Sequence, residues 1–122
     1  MTTAFLSSPL AHESPAVIED RARVAGEAWA WLTCYGYAPF APAVRRRRQA
    51  IRYGMPMNAM AWADVNRARF NECGCLVVLR LIGWQDSQGV AMEMKWAQGA
   101  GKPILFMDVQ NAGFSLVEGA CQ

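Results

Sequence analysis

Glu93 is the side chain in this sequence that most invites a chemical reading. It lies in the stretch "GWQDSQGVAMEMKWAQGAGKPILFMD", Gly83 to Asp108. A helix starting near Gly89 and turning about 100° per residue places Val90, Met94, Ala97 and Gly101 in one apolar stripe, with Glu93 on its shoulder between the directions of Ala97 and Ala100. A carboxylate is therefore aimed at the interior. Its helical neighbours at three and four residues are Gly89, Val90, Trp96 and Ala97, so no cation on the same helix can pair with it. Either a partner comes from elsewhere in the chain, or the carboxylate is kept for a task. The loop just before it, "GWQDSQG", feeds the helix N-terminus, where unpaired N–H groups favour a phosphate or other anion. Ser87 adds a hydroxyl there, and Gly89 allows close backbone approach. An anion at the helix start and a carboxylate just over a turn deeper can face opposite ends of one ligand.

A second concentration of chemistry is basic. Arg45, Arg46, Arg47, Arg48 and Arg52 fall within one eight-residue window, although the net charge of the whole chain is only +2. That small total excludes a generic polyanion binder, and the local excess leaves two uses open: phosphate contacts to a nucleotide or nucleic acid, or a solvated face. Cys34, Cys73, Cys75 and Cys121 show neither paired C-x-x-C motifs nor zinc spacing, and His12 is the only histidine, so no metal site is expected and the cysteines read as reduced thiols. Without a secretory signal or an apolar run near ~20 residues, the expected setting is soluble and cytoplasmic, with no membrane partner.

The elements that must position these groups follow from local patterns. At 122 residues and 53% hydrophobic, the chain is expected to form one domain over residues 1–122. "TAFLSS" predicts a buried first strand that opens at Ser7, Ser8 and Pro9 into a ligand loop. Ser14-Pro15 predicts a helix start and Gly36 its end, with an apolar stripe of Ile18, Ala22, Ala25, Trp29 and Leu32. "YAPFAP" reads as a short second strand, and Ala43 to Pro56 as a mobile basic excursion holding a helical turn or two. Asn58 to Cys73 predicts a helix burying Met60, Ala61, Val65, Ala68 and Phe70. "CLVVLRLI" is a central parallel strand, and Gly99 and Gly101 end the helix of Glu93 before the strand "KPILFMD". Residues 109–122 form a C-terminal arm or edge strand. The fold class is α/β: a flavodoxin- or Rossmann-like doubly wound parallel sheet of four to five strands in a three-layer αβα arrangement. Such sheets bind ligands beyond the carboxyl ends of their strands.

The pieces "FLSSP", "GYAPFAP", "YGMP", "CLVVLRLIGWQDSQGVAMEMKWA" and "GKPI" together resemble the nucleoside 2-deoxyribosyltransferase-like superfamily, in its DUF1937-like branch, over residues 4 to about 108. The most specific element is Gly-Trp-x-x-Ser-x-Gly-x-x-x-Glu: Gly83, Trp84, Ser87, Gly89 and Glu93. The resemblance implies that Glu93 is a nucleophile attacking the anomeric carbon of deoxyribose, that Asp64 hands a proton to the departing base, and that Ser87 holds a 5′-phosphate or 5′-hydroxyl. Trp84, in the motif loop, is placed to stack on a base. Relatives commonly carry a tyrosine that holds the glutamate; the matching position here is Phe5.

The expected function is thus binding of a deoxynucleoside or deoxynucleotide and cleavage or transfer at its N-glycosidic bond, with no cofactor. Substrate-binding candidates are Ser7, Ser8, Pro9, Trp84, Ser87 and Gly89, and phosphate-binding candidates are Arg45, Arg46, Arg47 and Arg48. A homo-oligomer is expected from the resemblance and from the apolar Phe114 and Leu116 in the tail. Two rivals stand beside this reading: a non-catalytic nucleotide-sequestering protein, and a nucleic-acid-associated protein that uses the arginines.

Overall fold

A computed structural model describes residues 2–111 and 113–119. The N-terminal apolar run is β1 (Thr2–Ser7), followed by α1 (Pro15–Cys34), β2 (Tyr37–Phe40), α2 (Pro42–Tyr53), a 3-10 turn (Ala59–Trp62) and α3 (Ala63–Asn71). Then come β3 (Cys75–Leu79), a second 3-10 turn (Trp84–Asp86), α4 (Gln88–Ala100), β4 (Ile104–Gln110) and β5 (Gly113–Glu118). The sheet order is β2-β1-β3-β4-β5. The first four strands are parallel, and helices cover both faces, which is the doubly wound three-layer αβα arrangement. β5 is the exception, pairing antiparallel with β4 from Leu105↔Glu118 to Gln110↔Gly113. Its connection to β4 is too short for the crossover that a parallel pair needs, so the tail folds back as an edge strand.

Alternation along the strands divides the core. Ala4 and Leu6 of β1, with Cys75, Val77 and Leu79 of β3, face Ala25, Ala28 and Leu32 of α1 and Ala43 of α2. Phe5, Leu76 and Val78 face Phe70 of α3 and Val90 and Ala97 of α4. The Phe5 ring meets Phe40 at 5.5 Å and Phe70 at 5.7 Å between centroids. Since side chains repeat every two residues, Ser7 shares the face of Phe5, toward α4.

Four local expectations need correction. The basic excursion is a regular 12-residue helix, α2. Pro42 pre-sets its first turn, arginines are good helix formers, and Gly54, at φ 66°, closes it in the left-handed conformation. In α1 the buried ridge runs through Ala28 in place of Trp29, which is 43% exposed. In the segment from the first 3-10 turn through α3, Met60, Ala61, Val65 and Ala68 are exposed; Trp62, Asn66 and Phe70, at a spacing of four, are buried. Gly101, at φ 67°, ends α4, while Gly99 remains helical. No helix among the described residues is long and apolar enough to cross a membrane.

Candidate functional site

The strand order reverses between β1 and β3, so the loops at their carboxyl ends flank the switch point of the sheet. Ser7, the last residue of β1, donates its hydroxyl to Glu93 Oε1 at 2.6 Å. Both side chains are buried. Ser7 lies two residues after Phe5 on the same strand face. Glu93 is 5% exposed, and burial pushes its carboxyl from the usual 4.5 up to about 7, against the Ser7 hydrogen bond and the charge of Arg46, which both pull it down.

Arg46 comes from α2 and is 6% exposed, unusual for an arginine. Burial lowers its pKa and the charge of Glu93 raises it, and its Nε has no hydrogen-bond partner among the described residues. Four consecutive arginines on a helix fan out over about 300°, so they cannot share one task. Arg46 lines a cavity of about 200 Å³ with Leu10 and Ala11 of the β1–α1 loop, Ala59 of the 3-10 turn, and Asp86 to Gly89 at the start of α4. Gly89 lies one turn before Glu93 on the same helix. At this end of α4, Ser87 is the N-cap, its Oγ accepting the Val90 N–H at 3.3 Å. A buried guanidinium, a helix N-terminus and a hydroxyl therefore surround one small space suited to an anion, with the Asp86 carboxylate as the opposing charge on its wall.

The model of DUF1937, a domain of unknown function, matches residues 2–109. The chain belongs to the DUF1937 family. No curated protein shows significant similarity to it. The family description carries no activity, so what a DUF1937 domain of this sequence can do has to be read from its side chains.

In this DUF1937 domain two glycines set the shape of the site. A Cβ on Gly89 would lie 2.9 Å from the Cβ of Ala59, so the bare helix start lets the 3-10 turn close over it. Gly83, at φ 88°, turns the chain after β3, and a Cβ there would lie 2.8 Å from Arg21 Nη2. Arg21 donates to the carbonyls of Ala11 and Ile82, each at 3.0 Å, tying together the two loops at the switch point. Nothing in the local pattern of α1 marks Arg21 for this, because both acceptors are backbone atoms remote in sequence.

The remaining candidates are dispersed. Ser8 is buried with its Oγ unpartnered among the described residues, and Pro9 is buried beside it. Trp84 packs against Phe106 at 5.8 Å and does not line the small cavity. Asp64 is exposed in the first turn of α3; Asn66, two residues on, is the buried polar side chain of that helix. Asn66 was legible only through its spacing of four from Trp62 and Phe70. Arg47 pairs with Glu19 of α1, and Arg45 and Arg48 line a different cleft beside β2. Of the four arginines expected at phosphate, the fold brings only Arg46 to the anion cavity.

Proposed function

We propose that the domain binds a deoxynucleoside or deoxynucleotide and breaks its N-glycosidic bond, with Glu93 as nucleophile, as hydrolase or deoxyribosyltransferase. One observation carries the reading: a buried carboxylate, oriented by Ser7 at the switch point of the sheet, lies a turn below a cavity lined by Arg46 and the α4 N-terminus. The resemblance to the nucleoside 2-deoxyribosyltransferase-like superfamily supports it through the same glutamate.

The geometry divides the work. Breaking the bond develops positive charge on the sugar ring, which a carboxylate beneath the anomeric carbon stabilises before bonding to it. The base leaves with the bonding electrons and takes up a proton; water or a second base then attacks the glycosyl ester and frees Glu93. A cavity of about 200 Å³ is smaller than the ~300–1,000 Å³ of pockets that enclose drug-sized ligands, so it suits the phosphate end of a nucleotide and leaves the base toward solvent. Asp64, being exposed, can protonate only a base that projects that way. Arg46 and Ser87 select for the 5′-phosphate.

Incubating the protein with a panel of deoxynucleosides and their 5′-monophosphates, and following free base by chromatography, tests this. Release from a monophosphate, abolished in Glu93→Gln, is the expected result. Binding without release from any member across the neutral range would leave a sequestering protein instead.

A further inference from the structure

α2 separates two environments. Arg46 faces the cavity beside Glu93, whereas Arg45, Arg48 and Arg52, at steps of three and four residues, share another face of the helix. On that side Arg45 and Arg48 line a cleft of about 580 Å³ beside the edge strand β2, where Arg69 of α3 joins them with Trp29, Phe40 and Gln49. Arg48 also lines the adjoining groove with Arg52, where Glu19 is taken up by Arg47, so a row of arginines runs on past the cleft.

Two features distinguish this cleft from a solvated face. First, two of its three cations are left without counter-charges: no carboxylate lines it, and among the described residues neither Arg45 nor Arg48 forms an ion pair, while Arg69 has Glu72 at 3.8 Å. Elsewhere Arg23 pairs with Asp20 and Glu27, Arg47 with Glu19, and Arg80 with Asp108, while Arg46, the arginine of the anion cavity, is like Arg45 and Arg48 without an ion pair among the described residues. Second, a large ring is fixed yet uncovered. The Trp29 indole N–H donates to the Pro39 carbonyl at 2.9 Å, and the residue stays 43% exposed. Beside it the Arg69 guanidinium lies 5.7 Å from the centre of the Phe40 ring. Clustered cations next to a bare aromatic face match a ligand that carries phosphates and a planar ring together.

We propose that this cleft binds single-stranded nucleic acid, at a site separate from the pocket of Glu93: Arg45, Arg48 and Arg69 contact neighbouring phosphates, and the Trp29 indole stacks on a base. A free nucleotide shares that chemistry. The basic stripe, however, extends about 10 Å along α2 from Arg45 to Arg52, farther than one phosphate group reaches. Recognition of this kind tolerates any sequence, because every base offers a π face.

Fluorescence anisotropy of the full chain with a labelled oligothymidine of about twelve nucleotides tests the proposal. The logarithm of the association constant is expected to fall linearly with the logarithm of salt concentration at a slope of about −2, from roughly −0.7 for each of three phosphates. Replacing Arg45, Arg48 and Arg69 by glutamine weakens binding at least about tenfold and flattens that slope. Trp29→Leu weakens binding about tenfold at an unchanged slope, and Glu93→Gln alters neither quantity. Circular dichroism checks that each variant is folded, and the exposed Arg48→Gln alone gives a smaller loss if the triple variant is not. Three results overturn the proposal: an affinity insensitive to these arginines; inorganic polyphosphate competing as well as the oligonucleotide, with Trp29→Leu silent; or thymidine monophosphate competing equally per phosphate, which assigns the cleft to free nucleotide.

Discussion

Glu93 holds its proton more tightly in the folded chain than an exposed glutamate does, and this fixes the sign of two pH effects. With a folded value of about 7 and an unfolded value of 4.5, stability is fully present below about pH 4.5 and is lost as the pH rises through about 7. At about 1.4 kcal/mol for each pH unit, the loss reaches up to about 3 kcal/mol. Urea unfolding at mildly acidic and mildly alkaline pH should therefore show a fall in wild-type stability that Glu93→Gln largely removes; an equal fall in both proteins would assign it to other groups. Catalysis runs the opposite way, because a nucleophile must be ionised, so kcat/KM should rise with pH and level off above about 7. Ser7→Ala removes a donor that favours the ionised form. The midpoint should move to higher pH and the rate at neutrality should fall by roughly tenfold or more, as for a lost hydrogen bond to a charged group. A midpoint that stays put or drops would show that Ser7 does not orient the carboxylate. Glu93→Gln itself should lower turnover by about a thousandfold or more while ligand binding persists, measurable by base release and calorimetry.

Among the elements, α2 separates its arginines most sharply, because its phase assigns each a different neighbour. Arg46→Gln should weaken a deoxynucleoside monophosphate by about 1.5–3 kcal/mol relative to the unphosphorylated nucleoside. Arg48→Gln, on the opposite face, should leave that ratio unchanged in the same calorimetric titration; a loss there would contradict the placement of the two side chains. The start of α4 depends on close packing. Gly89→Ala puts a methyl 2.9 Å from the Ala59 side chain, so the 3-10 turn must shift. A cost of about 1–3 kcal/mol in urea unfolding is expected, together with reduced turnover, since the same turn forms part of the cavity wall.

For the whole molecule, the sheet order sets where chemistry can happen and leaves its edges and several apolar side chains unused. Phe114 and Leu116, expected to be left uncovered, pack against the core instead, whereas Ile82 is 96% exposed, Met60 62% and Val65 47%. Such bare groups on a small domain lead us to expect a homo-oligomer, at least a dimer at micromolar concentration. Light scattering checks this, and a monomer with full activity would refute it.

The sequence alone determined what depends on near neighbours. The apolar run from Cys75 could only be a covered strand, although the strand stops at Leu79 and leaves Ile82, expected within it, exposed; Gly101 marked a helix end, and the 3.6 period turned Glu93 inward before any partner was known. It also showed an anion-ready helix start at Ser87, because that property belongs to the backbone of α4. α2 escaped because hydrophobic periodicity detects helices by their apolar face, and the buried set of this one is Pro42, Ala43 and the charged Arg46. Tertiary structure alone decided which serine meets Glu93, which of four arginines approaches it, and that Arg21 ties two loops together. Ser7 and Glu93 are 86 residues apart. Contacts of that kind depend on strand order and register, which place remote residues side by side for reasons that no local stretch contains.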